Sequence, residues 1–465
     1  MTIQNSGKTF SAEGIILDNM ESTLNAAPVS FTAKHWLILV TAGLGFAFDL
    51  YETVVMAIVV RPVLMELGPF HPGTPQFNTY AGLLLFIPVV IGGLASLMGG
   101  YLTDRLGRQR VLVWSIVIYG VAAFFAGFST SLAELMFWRS ITVAGACVEF
   151  VAAIAWLTEL FPDRRRREAM LGFAQACAAG GNFMIAGAYF AAVTWGDHLP
   201  EIYGAHSAWR YTLLFGALPA IPLMLVRPFL PESPVWQAKK LAGTLRRPGF
   251  SQLFSPQLRR VTVVTTVLIA CGYALAFGML QHIPRVVPGL PKVAELSRQA
   301  QEQWVSWVHL HVDVGALAGR LLLVGLAVYL VRRRPLLIGI LCLGLVLIPL
   351  TLLGPAMHDA DLFKYAVLLV SVLASLQYSF WGNYLPRVYP LHLRGTGEIF
   401  AFSIGGRVLA PLAAIATTQL SNLTPGATPA LKLASAMALV AVTATVCALL
   451  VSRWLPEPPE ALPED

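Results

Sequence analysis

Apolar runs of eighteen or more residues recur along the whole chain, and no other feature restricts its fold so tightly. A run of that length spans the hydrocarbon core of a bilayer as a helix. Lipid offers a backbone no water to bond to, so each span must satisfy its own N–H and C=O groups. Twelve such stretches stand at about 36–60, 77–102, 111–128, 132–160, 169–194, 209–230, 261–280, 304–331, 335–353, 362–386, 398–420 and 430–454. The 465 residues are 56% hydrophobic and 12% charged, which excludes a set of ordinary soluble domains. The five cysteines (147, 177, 271, 342 and 447) all lie inside apolar runs and read as small packing residues, not as disulfides or metal ligands. The first 33 or so residues are polar and mixed in charge, without a basic stretch leading into an apolar core, so no cleavable signal is read there.

Lysine and arginine set the orientation. With the N-terminus inside, the internal segments hold Arg105, Arg108, Arg110, Arg164 to Arg167, the bases between Arg227 and Arg260, Arg332 to Arg334, Arg387 and Arg394, among others. The other side holds Arg61, Arg210, Arg285, Lys292, Arg298, Lys364 and Lys432. The bias is about three to one, so both termini are expected to be cytoplasmic. The net charge of +7 is thus a topology signal, and no nucleic-acid partner is expected. Residues 231–260 form the longest internal connection and divide six spans from six. The chain is read as a cytoplasmic tail (1–33), a six-helix bundle (34–230), a linker (231–260), a second bundle (261–454) and a short tail (455–465). The fold class is an all-α membrane protein, twelve helices in two pseudo-symmetric bundles with a site between them near the bilayer midplane.

The segment Gly99-Gly-Tyr-Leu-Thr-Asp-Arg-Leu-Gly-Arg-Gln-Arg110 follows the second span. It combines paired glycines, one acid and three bases at a membrane exit. It resembles the signature loop G-x-x-x-D-R-x-G-R-[RK] of the major facilitator superfamily, with Gly100, Asp104, Arg105, Gly107, Arg108 and Arg110 on the pattern. A degraded second copy stands after the eighth span, where Tyr329 and Arg332 replace the aspartate and glycine. The fourth span, Arg139 to Pro162, resembles the R-x(9)-E-x(9)-E-x-x-P pattern of metabolite:proton and sialate:proton symporters through Arg139, Glu149, Glu159 and Pro162. In that span Val143 and Cys147 stand at usual glycine positions. Pro231-Glu-Ser-Pro234 is similar to a signature shared with sugar porters. Pro390 to Gly397 and Gly406-Arg407 look like features of organic-acid and aromatic-acid transporters. The resemblance implies a secondary transporter that alternates access by rocking its halves, with Gly100, Asp104, Arg105, Gly107, Arg108, Glu159 and Arg394 in a cytoplasmic gate.

A charge near the bilayer centre costs about 2.5–3.5 kcal/mol on insertion scales, so each one is a functional candidate. Asp49 and Glu52, three apart in the first span, share a helix face. Two acids in a low dielectric cannot both ionise cheaply, which suits a carboxyl that takes and releases a proton. With Glu149 they are the candidate proton-coupling residues. Arg320 and Arg407, deep in the second half, are candidate anion-binding residues because guanidinium grips carboxylate with two prongs. Arg139, His309 and Asp313 are read as ion-pair or auxiliary groups. Gln175, Asn182, Tyr273, Gln377, Tyr378 and Asn383 are candidate cavity-lining residues, or equally interhelical glue. Asp104 is expected to pair with an arginine and to face the N-terminal end of the eleventh helix. Pro88, Pro219, Pro222 and Pro386 are candidate bend points.

Together these features predict a monomeric, proton-coupled symporter of a small organic anion, driven by the proton gradient, with no cofactor and no metal. Short loops point to a bacterial inner membrane. Symport of a neutral sugar or polyol, proton-driven efflux of an amphipathic compound, and a non-transporting sensor stay open as alternatives. No nucleophile–base set, phosphate loop or metal-ligand spacing supports an enzyme.

Overall fold

The protein is described here from a computed structural model, which covers residues 33–160, 164–218, 220–226, 231–241, 249–329, 333–390 and 393–457. The first unit, residues 1–40, contributes only the start of the first helix to these. Everything below concerns the unit from Thr41 onward.

The first half is built from α1 (Ala33–Val54), α2 (Met56–Leu67), α3 (Pro75–Leu106), α4 (Arg108–Gly127), α5 (Leu132–Leu160), α6 (Arg164–Trp195), α7 (Ala208–Ala217) and α8 (Ala220–Val226). After α9 (Pro234–Leu241) the second half runs through α10 (Arg259–Gly278), α11 (Arg298–Tyr329), α12 (Arg333–Leu353) and α13 (Ala360–Tyr384). It then continues through α14 (Arg394–Phe400), a π-helical segment (Ala401–Leu409), α15 (Leu412–Leu420) and α16 (Pro429–Val451). Ten described helical stretches are long and apolar enough to cross a membrane, and α1 with α2, bent by 42°, makes an eleventh. The twelfth expected span is α11. Its 32 residues reach about 48 Å at helical rise, but His309, His311, Asp313 and Arg320 dilute its apolar character.

Two expected spans depart from a continuous α-helix. The first breaks at Val55 and resumes through Met56–Leu67 with Pro62 inside the second piece. In the eleventh the hydrogen-bond ladder widens by one residue, as in the Ala410 N–H donating to Gly405 C=O at 3.0 Å. Pro88 lies inside the continuous α3, and Pro386 falls just past the end of α13.

The packing repeats from half to half. In the first, α3 crosses α5 and α4 packs on α7; in the second, α11 crosses α13 and α12 packs on α16. Across the halves, α3 lies on the π-helical segment and α15, and α11 lies on α6 in the mirrored position. Small residues make the two central crossings possible. A Cβ on Gly315 or Gly319 of α11 would strike the carbonyl oxygens of Leu368 and Val372 in α13. Ser371 and Ser375 in turn donate to Val312 and Ala316 carbonyls, each at 2.6 Å. In the first half the glycines are on α3. A Cβ on Gly92 would come within 2.7 Å of Val143, and one on Gly99 within 2.9 Å of Val148. Val143 and Cys147 can therefore replace glycine in α5, because the facing helix supplies the missing volume.

Replacing Gly319 with leucine should separate α11 from α13. The expected loss is about 1–3 kcal/mol from overpacking alone, read as a lower melting temperature of the detergent-purified protein, with Gly339→Leu, which has open space around it, near wild type.

Candidate functional site

The two acids of α1 part company. Glu52 is fully buried and bound by Arg139 of α5, whose guanidinium donates both to the Glu52 carboxylate and to its backbone carbonyl. Gly216 of α7 makes room for this pair, since a Cβ there would occupy the position of Glu52 Oε1. Tyr51 OH ties the same turn to the Thr212 carbonyl at 2.7 Å.

Asp49, 6% exposed, points instead toward the second half. Its Oδ2 is 3.9 Å from Arg407 Nη2, and its Oδ1 has no hydrogen-bond partner among the described residues. Glu149 of α5 is buried and within electrostatic reach of Asp49. Arg407 is carried by the π-helical segment, and its guanidinium lies 5.3 Å above the Phe150 ring. Gly93 of α3 admits this segment, for a Cβ there would come within 2.8 Å of Arg407 Cβ. One turn along, Ser96 and Ser403 share a hydrogen bond of 2.7 Å between the halves.

Arg320 of α11 stands near Asp313, Tyr273 and Tyr378 and forms no hydrogen bond or ion pair among the described residues. The rings of Tyr273 (α10) and Tyr378 (α13) lie 4.7 Å apart, and Tyr378 OH and Gln377 Nε2 are buried without partners. His309 and Asp313, one turn apart, are buried at 4.0 Å. Asn182 Oδ1 in α6 is also unpartnered. The side chains of Gln175, Asn383 and Arg394 lie outside those described. Asp49, Glu149 and Arg407 thus form one cluster, Arg320, Asp313, Tyr273 and Tyr378 a second, and Glu52 with Arg139 a separate structural pair.

At the signature-loop end, Gly107 has φ of +103°, a conformation that favours glycine. Arg108 bridges Asp104 at 2.9 Å and Glu159 at 2.7 Å, while Gly100 is buried and Arg105 reaches Tyr101 OH at 3.3 Å on the surface. The helix N-terminus seen to take a carboxylate here is that of α4: Glu232 accepts from the Arg108 and Gln109 N–H groups at 3.0 and 3.2 Å. Trp236 Nε1 donates to the Asp104 carbonyl at 2.7 Å. The P-E-S-P segment is therefore docked on the signature loop. At the opposite end the halves are joined by Arg61 and Glu302, at 2.5 Å, with Tyr189 OH donating to the same carboxylate at 2.7 Å.

Sequence reasoning missed Gly93, Gly216, the docking contact of Glu232 and the Arg61–Glu302–Tyr189 lock. Gly93 carried a sequence signal in the Gly92-Gly93 pair, and Glu232 in the P-E-S-P segment. The partners that set the others lie 113 or more positions away.

The family model of the Major Facilitator Superfamily matches residues 67–398, well over half of the chain. The chain belongs to this family, and it is a multi-pass membrane transport protein, not an enzyme. A probable 4-methylmuconolactone transporter of Cupriavidus pinatubonensis is 23% identical over 361 residues, 78% of each chain. An arabinose-proton symporter of Bacillus subtilis is 28% identical over 206 residues, and that match spans 44% of this chain and only 41% of the relative. The crystal structure of a D-xylose-proton symporter superposes with a TM-score of 0.70 at 15% identity, covering 92% of this chain and 99% of that one. It shares the fold.

Removing one partner of the Glu52–Arg139 pair should strand a buried charge. Arg139→Gln or Glu52→Gln should each lose about 3–5 kcal/mol, and Glu52→Gln with Arg139→Gln together should recover much of it. Thermal melts of the three variants decide this; equal, additive losses would show that the pair is not acting as a pair.

Proposed function

We propose that the protein is a proton-coupled symporter of a small organic anion, a monocarboxylate, dicarboxylate or acidic sugar, working by alternating access. The observation that carries this reading is Arg407 facing Asp49 across the two halves at 3.9 Å, an ion pair too long to be hydrogen-bonded. A substrate carboxylate offers Arg407 a better, two-pronged partner. Once the guanidinium is engaged, Asp49 is left as a buried acid without its counter-charge, beside Glu149. A proton on Asp49 restores neutrality. Anion and proton then bind together because both answer to one guanidinium, and the loaded site is neutral when the halves rock. Arg320, which stands near Asp313 without a contact at ion-pair distance among the described residues, supplies the second cationic contact, with Tyr273 and Tyr378 as aromatic walls.

In this scheme the signature-loop network of Asp104, Arg108, Glu159 and Glu232 braces the cytoplasmic end, and the Arg61–Glu302 lock closes the outer one. Both termini are cytoplasmic, the membrane is a bacterial inner membrane, and the working unit is a monomer. Neutral sugar symport is the second reading, favoured by the similarity to an arabinose-proton symporter and by P-E-S-P.

Proteoliposomes with an alkaline interior, given labelled carboxylates and sugars, separate the two. Carboxylate accumulation is expected to collapse with a protonophore. Asp49→Asn should abolish accumulation while keeping exchange down a substrate gradient. Arg407→Gln should raise KM for the anion by about tenfold or more. Transport of sugars alone, indifferent to Arg320 and Arg407, would establish the second reading.

A further inference from the structure

The end of the bundle opposite the signature loop holds a buried cation that the scheme above does not use. Beyond α10 the chain changes winding three times: a 3-10 turn at Leu280–His282, an α turn at Ile283–Val286 and a second 3-10 turn at Val287–Gly289, with Pro284 and Pro288 inside. Arg285 sits on this broken stretch and is 8% exposed. Its Nη2 donates to Asn78 Oδ1 of α3 at 2.6 Å, its Nη1 lies 3.2 Å from His282 Nδ1, and its guanidinium is 5.3 Å from the Phe77 ring. Its Nε has no hydrogen-bond partner. Among the described residues no carboxylate pairs with it.

The two other arginines at this end that are withdrawn from the surface are treated differently. Arg61 has Glu302 at 2.5 Å, and Arg210 has Glu66 at 3.1 Å. A buried guanidinium held only by neutral acceptors is a costly arrangement. A simple brace between the halves would not need it, because Asn78 already bonds the second half through Asn422 at 2.8 Å. The arrangement does suit a cation that must be covered when this end is shut and available when it opens. Its cross-half partner, Asn78, belongs to the half that moves away. A neutral amide is also readily displaced by a carboxylate, whose charge-assisted bond is roughly twice as strong.

We propose that Arg285 is an anion-capture residue on the transport path, engaged only when this end is open. Separation of the halves breaks the Asn78–Arg285 bond. The guanidinium then takes the carboxylate of an arriving substrate, which passes inward to Arg407 and Arg320. On closure Asn78 returns as the neutral cover. The inference rests on the anionic-substrate reading and adds to it a site specific to one face.

The test uses the full chain, reconstituted in one orientation, with the labelled carboxylate that the wild type carries best from the panel above. KM is measured separately from the Arg285 face and from the signature-loop face. Arg285→Gln is expected to raise KM at its own face about tenfold and to leave KM at the other face within about twofold. Arg285→Lys should restore most of the loss. Asn78→Ala, which frees the same contact but keeps the cation, should alter turnover without raising KM. Equal KM changes at both faces, or the same KM increase in Asn78→Ala and Arg285→Gln, would show a structural latch and overturn the proposal. A wild type that carries sugars but no carboxylate overturns both this inference and the anionic reading, whereas carboxylate transport with Arg285→Gln unchanged overturns the inference alone.

Discussion

A charge inside hydrocarbon has to be neutralised by something, and the placement of these neutralising partners organises the structure. Two solutions coexist within one turn of α1. Glu52 is neutralised permanently by Arg139 and joins α1 to α5, with Gly216 of α7 leaving space for the carboxylate. Asp49 is neutralised loosely by a residue of the other half, at 3.9 Å from Arg407. The first pair holds three helices of one bundle together. The second spans the surface along which the bundles must move, so its looseness is what a transport cycle can use.

The backbone is arranged around the same need. Arg407 can approach α3 because Gly93 presents no side chain there. It is carried by a π-helical segment, a winding often found at functional sites. The central crossings of each half rest on small residues, Gly315 and Gly319 against α13, and Gly92 and Gly99 against α5. Close backbone approach supplies packing where lipid gives helices no hydrophobic reason to associate. Tyr378 and Arg320 therefore stand on closely packed helices, α13 and α11.

The two ends are built on different chemistry. At the signature loop, Arg108 binds two acids and Glu232 sits on the N-terminus of α4, so charges are satisfied within the first half and the adjoining P-E-S-P segment. At the other end several of the described bonds cross from half to half: Arg61 to Glu302, Tyr189 to Glu302, and Asn78 to both Asn422 and Arg285. Polar bonds that cross between the halves are broken whenever that end opens, and their number there is consistent with its being the closed one.

By itself the sequence determined the class of fold. The repeated apolar runs demand membrane helices, the signature-loop pattern Gly100 to Arg110 resembles that of the family, and the rarity of charge in those runs singles out Asp49, Glu52, Arg139, Glu149, Asp313, Arg320 and Arg407. Helical periodicity placed Asp49 and Glu52 on one face, but it could not say which neighbour each would meet. An offset of three leaves the side chains some 60° apart, enough for one to reach Arg139 and the other Arg407. Only the tertiary structure decided that division. It also extended the expected span at 304–331 back to Arg298 and packed it on α6 and α13, and it made Glu232 the partner of the signature loop. Each of these depends on contacts between residues far apart in the chain. A local pattern records which groups are costly to bury, and only packing determines which groups neutralise them.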